Sequence, residues 1–305
     1  MNDKLTISTA QLLSLFPDEA AARHYIESRR WPNGPRCPVC ASDRIGAHSP
    51  GIYRCNACEE AFTVRTGTVM ERSKIPLTKW LHATYLLVTS RKGISSMQLS
   101  KELSIRQASA WFLLHRLREA CGKQLDTLRG IVEVDETYVG GIEANKHEHK
   151  KRKQGRGAVG KAPVLGMRER GGRTVALAVE DVNTAALHRA IHTHIEAGAT
   201  LHTDEHAAYM GLGGLFFRRE TVNHSAGEYV RGVVHTNGIE SVWAVMKRGL
   251  HGVYHHASRK HLGRYASEFA FRLNEGNCKQ PTLKRLDALL AASVGKRITY
   301  AELTR

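Results

Sequence analysis

Four of the six cysteines fall into two Cys-x-x-Cys pairs, CPVC at Cys37 and Cys40 and CNAC at Cys55 and Cys58, with fourteen residues between the pairs. Each pair forms a knuckle presenting two thiolates, and two knuckles close the tetrahedral four-sulfur site that zinc prefers in structural roles. The gap is one residue short of the usual spacing for this pattern. Between and after the knuckles, GIYRC and AFTVRTG alternate like short strands, as a zinc ribbon requires. Four protein ligands leave no open coordination position, so a zinc ion held here organises the fold and does no chemistry. Unrelated buried thiols or a redox pair are the competing readings. Cys121, at the end of a helical stretch, reads as a small buried thiol, and Cys278 has no partner at ligand spacing.

At 305 residues, the chain has room for two or three domains with a substantial core. Its 45 Lys and Arg against 29 Asp and Glu leave a net charge of +16. A surplus of that size favours a polyanionic partner, because each neutralised phosphate releases condensed counterions. Nucleic acid leads, an anionic membrane surface is second, and a merely basic soluble protein is the plain alternative. The first residues, MNDKLTISTAQLLSLF, lack the basic start, apolar core and small-residue cleavage site of a secretory signal. No run of about 18 apolar residues offers a membrane span. The expected setting is a reducing cytoplasm, at the nucleoid, where paired cysteines suit metal better than disulfides.

Composition and periodicity divide the chain into an N-terminal helical arm (1–34), the ribbon (35–70), a helical region (73–125), an α/β domain (128–280) and a C-terminal helix (281–305). In the helical region Ser95 or Ser96 caps one helix reaching Leu103, Ser104 and Ile105 make a tight turn, and a second helix starts at Arg106. That is helix-turn-helix spacing, with Arg106, Gln107 and Ser109 at the start of the recognition helix. A plain helical bundle joining two domains is the alternative.

The α/β domain opens with IVEVDETYVGG, in which Glu133 and Asp135 share one side of a strand and Val132 and Val134 the other. A lysine-rich run follows, with seven Lys or Arg between Lys146 and Lys161 against one Glu. Such runs are usually solvated loops; here Lys150, Lys151, Arg152 and Lys153 equally suit a grip on DNA. Gly171-Gly172 reads as a hairpin turn, Asn183 as the cap of a helix carrying Leu187, Ile191 and Ile195, and ATLHTD as a strand ending at Asp204. FFRRETVNH offers a fifth strand. Three strands, a crossover helix and a fourth strand match the ribonuclease H order, which makes the first and fourth strands neighbours. Asp135 and Asp204 then meet despite lying 69 positions apart. The amphipathic helices HLGRYASEFAFRLNEGN and Thr282–Ala292 are expected to cover the sheet.

Glu240 follows Asp204 after 35 intervening residues and opens a helix on which Lys247, seven further on, returns to the same face. Two aspartates on adjacent strand ends and one acid from a helix suit a pair of Mg2+ or Mn2+ ions, which take oxygen ligands and clamp an in-line phosphoryl displacement. Each acid also has a structural reading. Asn237 and Glu240 resemble a capping box, Asp204 could cap the helix after it, and Glu133 could be an exposed strand residue.

VEVDETYVGG, LHTDEHAAY, HTNGIESVWAVMKRG and GVYHHAS, with CPVC and YRCNACEEAFTVRTGTVM upstream, resemble the corresponding motifs of bacterial insertion-sequence transposases that carry a zinc-ribbon head and an ISXO-type DDE domain. The resemblance covers nearly the whole chain. It implies a ribonuclease H-like catalytic domain, a two-metal mechanism, and cutting and joining at terminal inverted repeats of double-stranded DNA by a homo-oligomer that synapses two ends. By position, Asp135 and Asp204 match the first two acids and Lys247 the basic residue after the third, with Arg248 beside it facing DNA. Some members carry asparagine at the third position. This chain offers both Asn237 and Glu240 one helical turn apart, and the spacing favours Glu240. A DNA-binding regulator with an inactive C-terminal domain and a structure-selective nuclease are the competing functions.

Overall fold

The computed structural model describes residues 6–122, 127–141, 147, 149, 160–214, 217–222 and 230–305. Two compact units emerge, one formed by Met1–Lys123 with Glu275–Arg305 and the other by Gln124–Asn274.

In the first unit, α1 (Thr9–Leu15) begins at a capping box in which Ser8 and Gln11 exchange side-chain and backbone bonds. Asp18 caps α2 (Glu19–Arg30) by accepting the Ala21 N–H at 2.8 Å. The ribbon is a three-stranded antiparallel sheet of β1 (Ile45–Ser49), β2 (Ile52–Cys55) and β3 (Ala61–Thr63). Its small core of Cys37, Cys55 and Phe62 is walled by Trp31 and Tyr53. α3 (Leu77–Thr89) is apolar nearly all round, and Trp80, Leu81, Ala83, Leu87 and Val88 are all buried. Its first N–H groups have no local cap, and Glu19 of α2 accepts from Leu77 at 2.7 Å instead.

Ser95 caps α4 (Ser96–Glu102), a tight turn with Ser104 at a φ of 47° follows, and α5 (Gln107–Cys121) starts after Arg106. The expected helix Thr282–Ala292 is present as α9, after α8 (Arg259–Leu273) of the other unit. Contrary to the expectation that it covers the sheet of the α/β domain, it belongs to the first unit and packs on α2 and α3. Arg285 donates to the Val88 carbonyl at 2.7 Å, and Asp287 accepts from Tyr25 at 2.5 Å and Arg29 at 3.0 Å. Amphipathic periodicity gives this helix a buried face, and these polar contacts across 197 to 262 residues select the core it joins. A short α10 (Tyr300–Thr304) follows, capped by Thr299 and Glu302.

The second unit is a mixed α/β layer structure. Its sheet runs β6–β5–β4–β7–β8, built from β4 (Ile131–Val139), β5 (Ala162–Glu169), β6 (Thr174–Ala178), β7 (Thr200–Thr203) and β8 (Arg218–Thr221). The first three strands pair antiparallel, and β4, β7 and β8 pair parallel. A parallel step needs a crossover, and α6 (Thr184–His194) supplies it between β6 and β7. Asn183 caps α6 through the Ala186 N–H at 2.9 Å.

Strand alternation divides the core. Val132, Val134, Leu165, Met167 and Leu201 face Leu187 and Ile191 of α6. On the opposite face, Val164 and Ala176 meet Ile239, Val242 and Met246 of α7 (Asn237–Gly249) and Leu262 and Phe269 of α8. Full burial of each large aliphatic side chain contributes roughly 1.5–3 kcal/mol, which fixes both layers against the sheet. The α7 helix of this layer lies against Glu133 and Asp135 in the middle of β4.

Candidate functional site

The four cysteines converge. Cys37 and Cys58 sulfurs are 3.7 Å apart, those of Cys40 and Cys55 are 3.5 Å apart, and all four lie within 4.8 Å of one another. A tetrahedral zinc with sulfurs at about 2.3 Å sets them roughly 3.8 Å apart, so this donor set fits the ion. Backbone N–H groups of Val39 and Ala57 donate to the Cys37 and Cys55 sulfurs, each at 3.4 Å. The knuckles position these N–H groups, as the short Cys-x-x-Cys loops fold back on their own sulfurs.

In the sheet, β4 and β7 are in register from Ile131 opposite Thr200 to Glu133 opposite His202. Continuing that register sets Asp135 level with Asp204, and the period of two places both on the face covered by α7. The Trp243 indole of α7 donates to Asp135 at 2.9 Å. This approach depends on Gly166, the β5 partner of Asp135, where a Cβ would lie 2.4 Å from the indole ring. Burial is the main force on Asp135 and pushes its carboxyl up to about 7. The indole bond opposes that shift, and the charges of Glu136 and Asp204 add to it. Three carboxylates therefore share one electrostatic neighbourhood, which a divalent cation would relieve.

Glu136 is the member that sequence reasoning left out. It leaves β4 on the opposite face from Asp135 and accepts the buried Tyr209 hydroxyl. Burial, followed by the Asp204 charge among the raising influences, lifts its carboxyl above the ordinary range. The signal was present in the VEVDE run, where the acid next to Asp135 falls on the other side of the strand but directly neighbours it in sequence. Asp204 accepts the His206 N–H at 3.0 Å, and Arg219 of β8 donates to its carbonyl at 3.1 Å. The helix expected after Asp204 is a single 3-10 turn, Ala207–Tyr209, with His206 as its cap.

Glu133 is not an exposed strand residue but is 2% exposed. One carboxylate oxygen accepts the backbone N–H of Ile239, in the first turn of α7, at 2.9 Å. The other accepts from Arg170 at 3.0 Å and lies 3.4 Å from His235 Nδ1. Arg170 in turn donates to the carbonyls of Val233 at 2.7 Å and His235 at 3.3 Å, binding the segment that leads into the helix. Gly238 makes the approach feasible, since a Cβ there would lie 2.6 Å from the Glu133 carboxylate.

The expected capping box of Asn237 and Glu240 is absent. The helix begins after Thr236, whose side chain makes no capping bond and donates to Glu240 at 3.0 Å. Glu133 takes over the capping role from the sheet.

Asn237, Glu240, Lys247 and Arg248 are all exposed on α7. Glu240 lies three residues before Trp243 and Lys247 four after it, so all three share the side of the helix that reaches Asp135. Asp135, Asp204 and Glu240 do not form a cluster as tight as the cysteines among the described residues. Arg106 and Gln107 are exposed at the start of α5, Ser109 is half-buried, and Gln107 donates to Ser96 of α4 at 2.8 Å. Lys150, Lys151, Arg152 and Lys153 lie outside the described residues.

A four-cysteine ribbon in one unit and a mixed five-stranded sheet in the other, with Asp135 within β4 and Asp204 just past the end of β7, define a two-module protein, a zinc-ribbon domain joined to a transposase domain. Residues 17–61 match the family described as transposase zinc-ribbon domain, and residues 127–274 match the ISXO2-like transposase domain. The chain belongs to the insertion-sequence transposases built from these two modules. It is 28% identical over 298 residues to an uncharacterized protein in transposable element ISH50 of Halobacterium salinarum, covering 92% of this chain and 99% of that one. A solved simian T-cell lymphotropic virus intasome, in complex with PP2A regulatory subunit B56 gamma, is 15% identical with a TM-score of 0.28. That match covers 61% of this chain and 65% of the other. Among the described residues, no helix is long and apolar enough to cross a membrane.

Proposed function

We propose that the protein is a DDE-type DNA transposase that binds the terminal inverted repeats of an insertion sequence, cuts a strand there and joins the freed 3′-hydroxyl to target DNA. The observation that carries this reading is the parallel pairing of β4 with β7, in register up to Glu133 opposite His202, which, carried two residues on, sets Asp204, the residue that follows β7, level with Asp135. The antiparallel-then-parallel order of the sheet, with its crossover helix, supports reading this unit as a ribonuclease H-like domain.

Asp135 and Asp204 would hold two Mg2+ or Mn2+ ions, with Glu240, or Asn237 one turn earlier, as the third candidate ligand. Such ions, when bound, activate the attacking oxygen and offset charge on the leaving one. The residues of the chain do the remaining work. Trp243 orients the Asp135 carboxylate through its indole N–H. Glu133 and Arg170 hold the start of α7, and with it Asn237 and Glu240, to the strand that carries Asp135. Lys247, on the same side of α7, faces the DNA backbone, with Arg248 beside it.

In the first unit, α4 and α5 act as a helix-turn-helix, with Arg106, Gln107 and Ser109 at the DNA end and one structural Zn2+ in the ribbon. The net charge of +16 supplies affinity for the DNA backbone independent of sequence. Two ends are brought together by a homo-oligomer, in the cytoplasm at the nucleoid.

The test is incubation of the purified chain with duplex DNA carrying the terminal repeats flanking its gene, with and without Mg2+. Magnesium-dependent cleavage followed by joining is the expected result. Cleavage without joining would make the protein a structure-selective nuclease, and binding without cleavage a regulator.

A further inference from the structure

Beyond Lys247 the helix changes character. α7 passes directly into a π turn, Leu250–Tyr254, and His255 then takes a φ of 58°. A π turn and a left-handed backbone at a non-glycine residue both cost energy, and such features concentrate at functional sites. Their effect here is to fold the chain back on itself. Lys247, His251, His255 and His256 thereby line a cavity of about 190 Å³ whose far wall is the end of β4, from Tyr138 to Gly141. The side chains of Lys247 and the three histidines have no hydrogen-bond or ion-pair partner among the described residues.

The chemistry of this lining is one-sided. It offers an ammonium group, imidazole N–H groups and a phenol, and no carboxylate. Donors gathered around a cation suit an anion with several oxygen acceptors. The cavity also borders the acidic centre. Tyr138, in its wall, lies three residues along β4 from Asp135, and its phenol is pushed up by burial and then by the charges of Glu136, Asp204 and Asp135. An anion entering here would lie roughly 10 Å along the strand from Asp135, held by groups of opposite character to the acids. A DNA strand has that requirement when one of its phosphates is engaged at the acids and a neighbouring phosphate needs its own partner.

We propose that Lys247, His251, His255 and His256 form a phosphate subsite for the DNA strand engaged at Asp135 and Asp204. The subsite rests on the transposase reading above. It fixes the strand's position along the cleft, and the strained turn exists to converge the imidazoles.

The test uses the full zinc-loaded chain in Ca2+, at fixed salt, with a fluorescent 20-base-pair duplex as probe. Replacing His251 and His256 together by alanine should weaken duplex binding about tenfold, with zinc content and thermal midpoint unchanged. His255→Gly separates folding from binding, because glycine suits the left-handed backbone. That variant should keep or raise the thermal midpoint while also losing duplex affinity. Wild-type affinity in both variants would overturn the subsite. If the wild-type chain bound no duplex, the transposase reading would fall, and the subsite would then be decided with inorganic phosphate alone. Phosphate-induced shifts in the NMR signals of His251, His255 and His256 would support it, and their absence would overturn it.

Discussion

Glu133, in the middle of a β-strand, caps a helix 106 residues further along the chain by accepting the Ile239 N–H at 2.9 Å. The bond ties α7 to the strand that carries Asp135, and Arg170 holds the same carboxylate from the other side at 3.0 Å. Removing it should be expensive. Glu133→Ala leaves the Ile239 N–H without its acceptor and removes the carboxylate from Arg170, a loss of about 1–3 kcal/mol. Chemical denaturation should show that loss, together with faster amide exchange at Ile239. A change below about 1 kcal/mol would mean that the carboxylate is not the anchor of α7.

Gly238 provides an independent check on the same contact. Glycine to alanine within a helix normally stabilises by about 1 kcal/mol. Here the added Cβ would lie 2.6 Å from the Glu133 carboxylate, so the sign should reverse. A lower thermal midpoint for Gly238→Ala is expected, and a higher one would count against the clamp.

Gly166 makes a similar prediction at the other end of the site. A Cβ there would lie 2.4 Å from the Trp243 ring, so Gly166→Ala should displace the indole from Asp135. The overpacking should cost about 1–3 kcal/mol. The fluorescence that is lost in Trp243→Phe should shift in Gly166→Ala, whereas an unchanged spectrum would mean that the ring has other room.

Asp135 sets the pH dependence of the metal-free protein. Its carboxyl is pushed up to about 7, chiefly by burial, whereas an unfolded aspartate titrates near 3.9. Between those values the folded state binds more protons than the unfolded state, so stability falls as pH rises from about 4 to about 7 and then levels off. The contribution is at most about 4 kcal/mol. Asp135→Asn should flatten this slope, and Mg2+ added at pH 8 should restore stability to the wild type alone. A midpoint that rises through the same window would contradict the assignment.

The ribbon should hold one zinc per chain, measurable by metal analysis. Cys55→Ser should release it and unfold the ribbon, since the ion's binding energy is folding energy in such modules. An unchanged stoichiometry would exclude the four-cysteine site.

Local pattern revealed much of this architecture. The cysteine spacing located the ribbon, alternation located the strands, and the caps at Ser95 and Asn183 are where composition places them. The order of strands in the sequence implies that Asp135 and Asp204 lie on neighbouring strands. The roles of Glu133, Gly166 and Gly238 were hidden, because their partners lie 37 to 106 residues away in sequence, as the contacts of Glu133 with Arg170 and Ile239 show. A buried acid and an exposed one look alike in a strand, so Glu133 read as a companion to Asp135 and not as the cap of a helix. Asn237 and Glu240 matched a local capping pattern that a long-range carboxylate displaced. Periodicity also could not assign Thr282–Ala292 to a core, because an amphipathic face does not specify its partner.

The most direct measurement is strand joining on terminal-repeat DNA by wild-type protein, Asp135→Asn and Asp204→Asn, with DNA binding followed in parallel. Both variants should bind DNA as the wild type does and give no joined product. Undiminished joining by either variant would contradict the account.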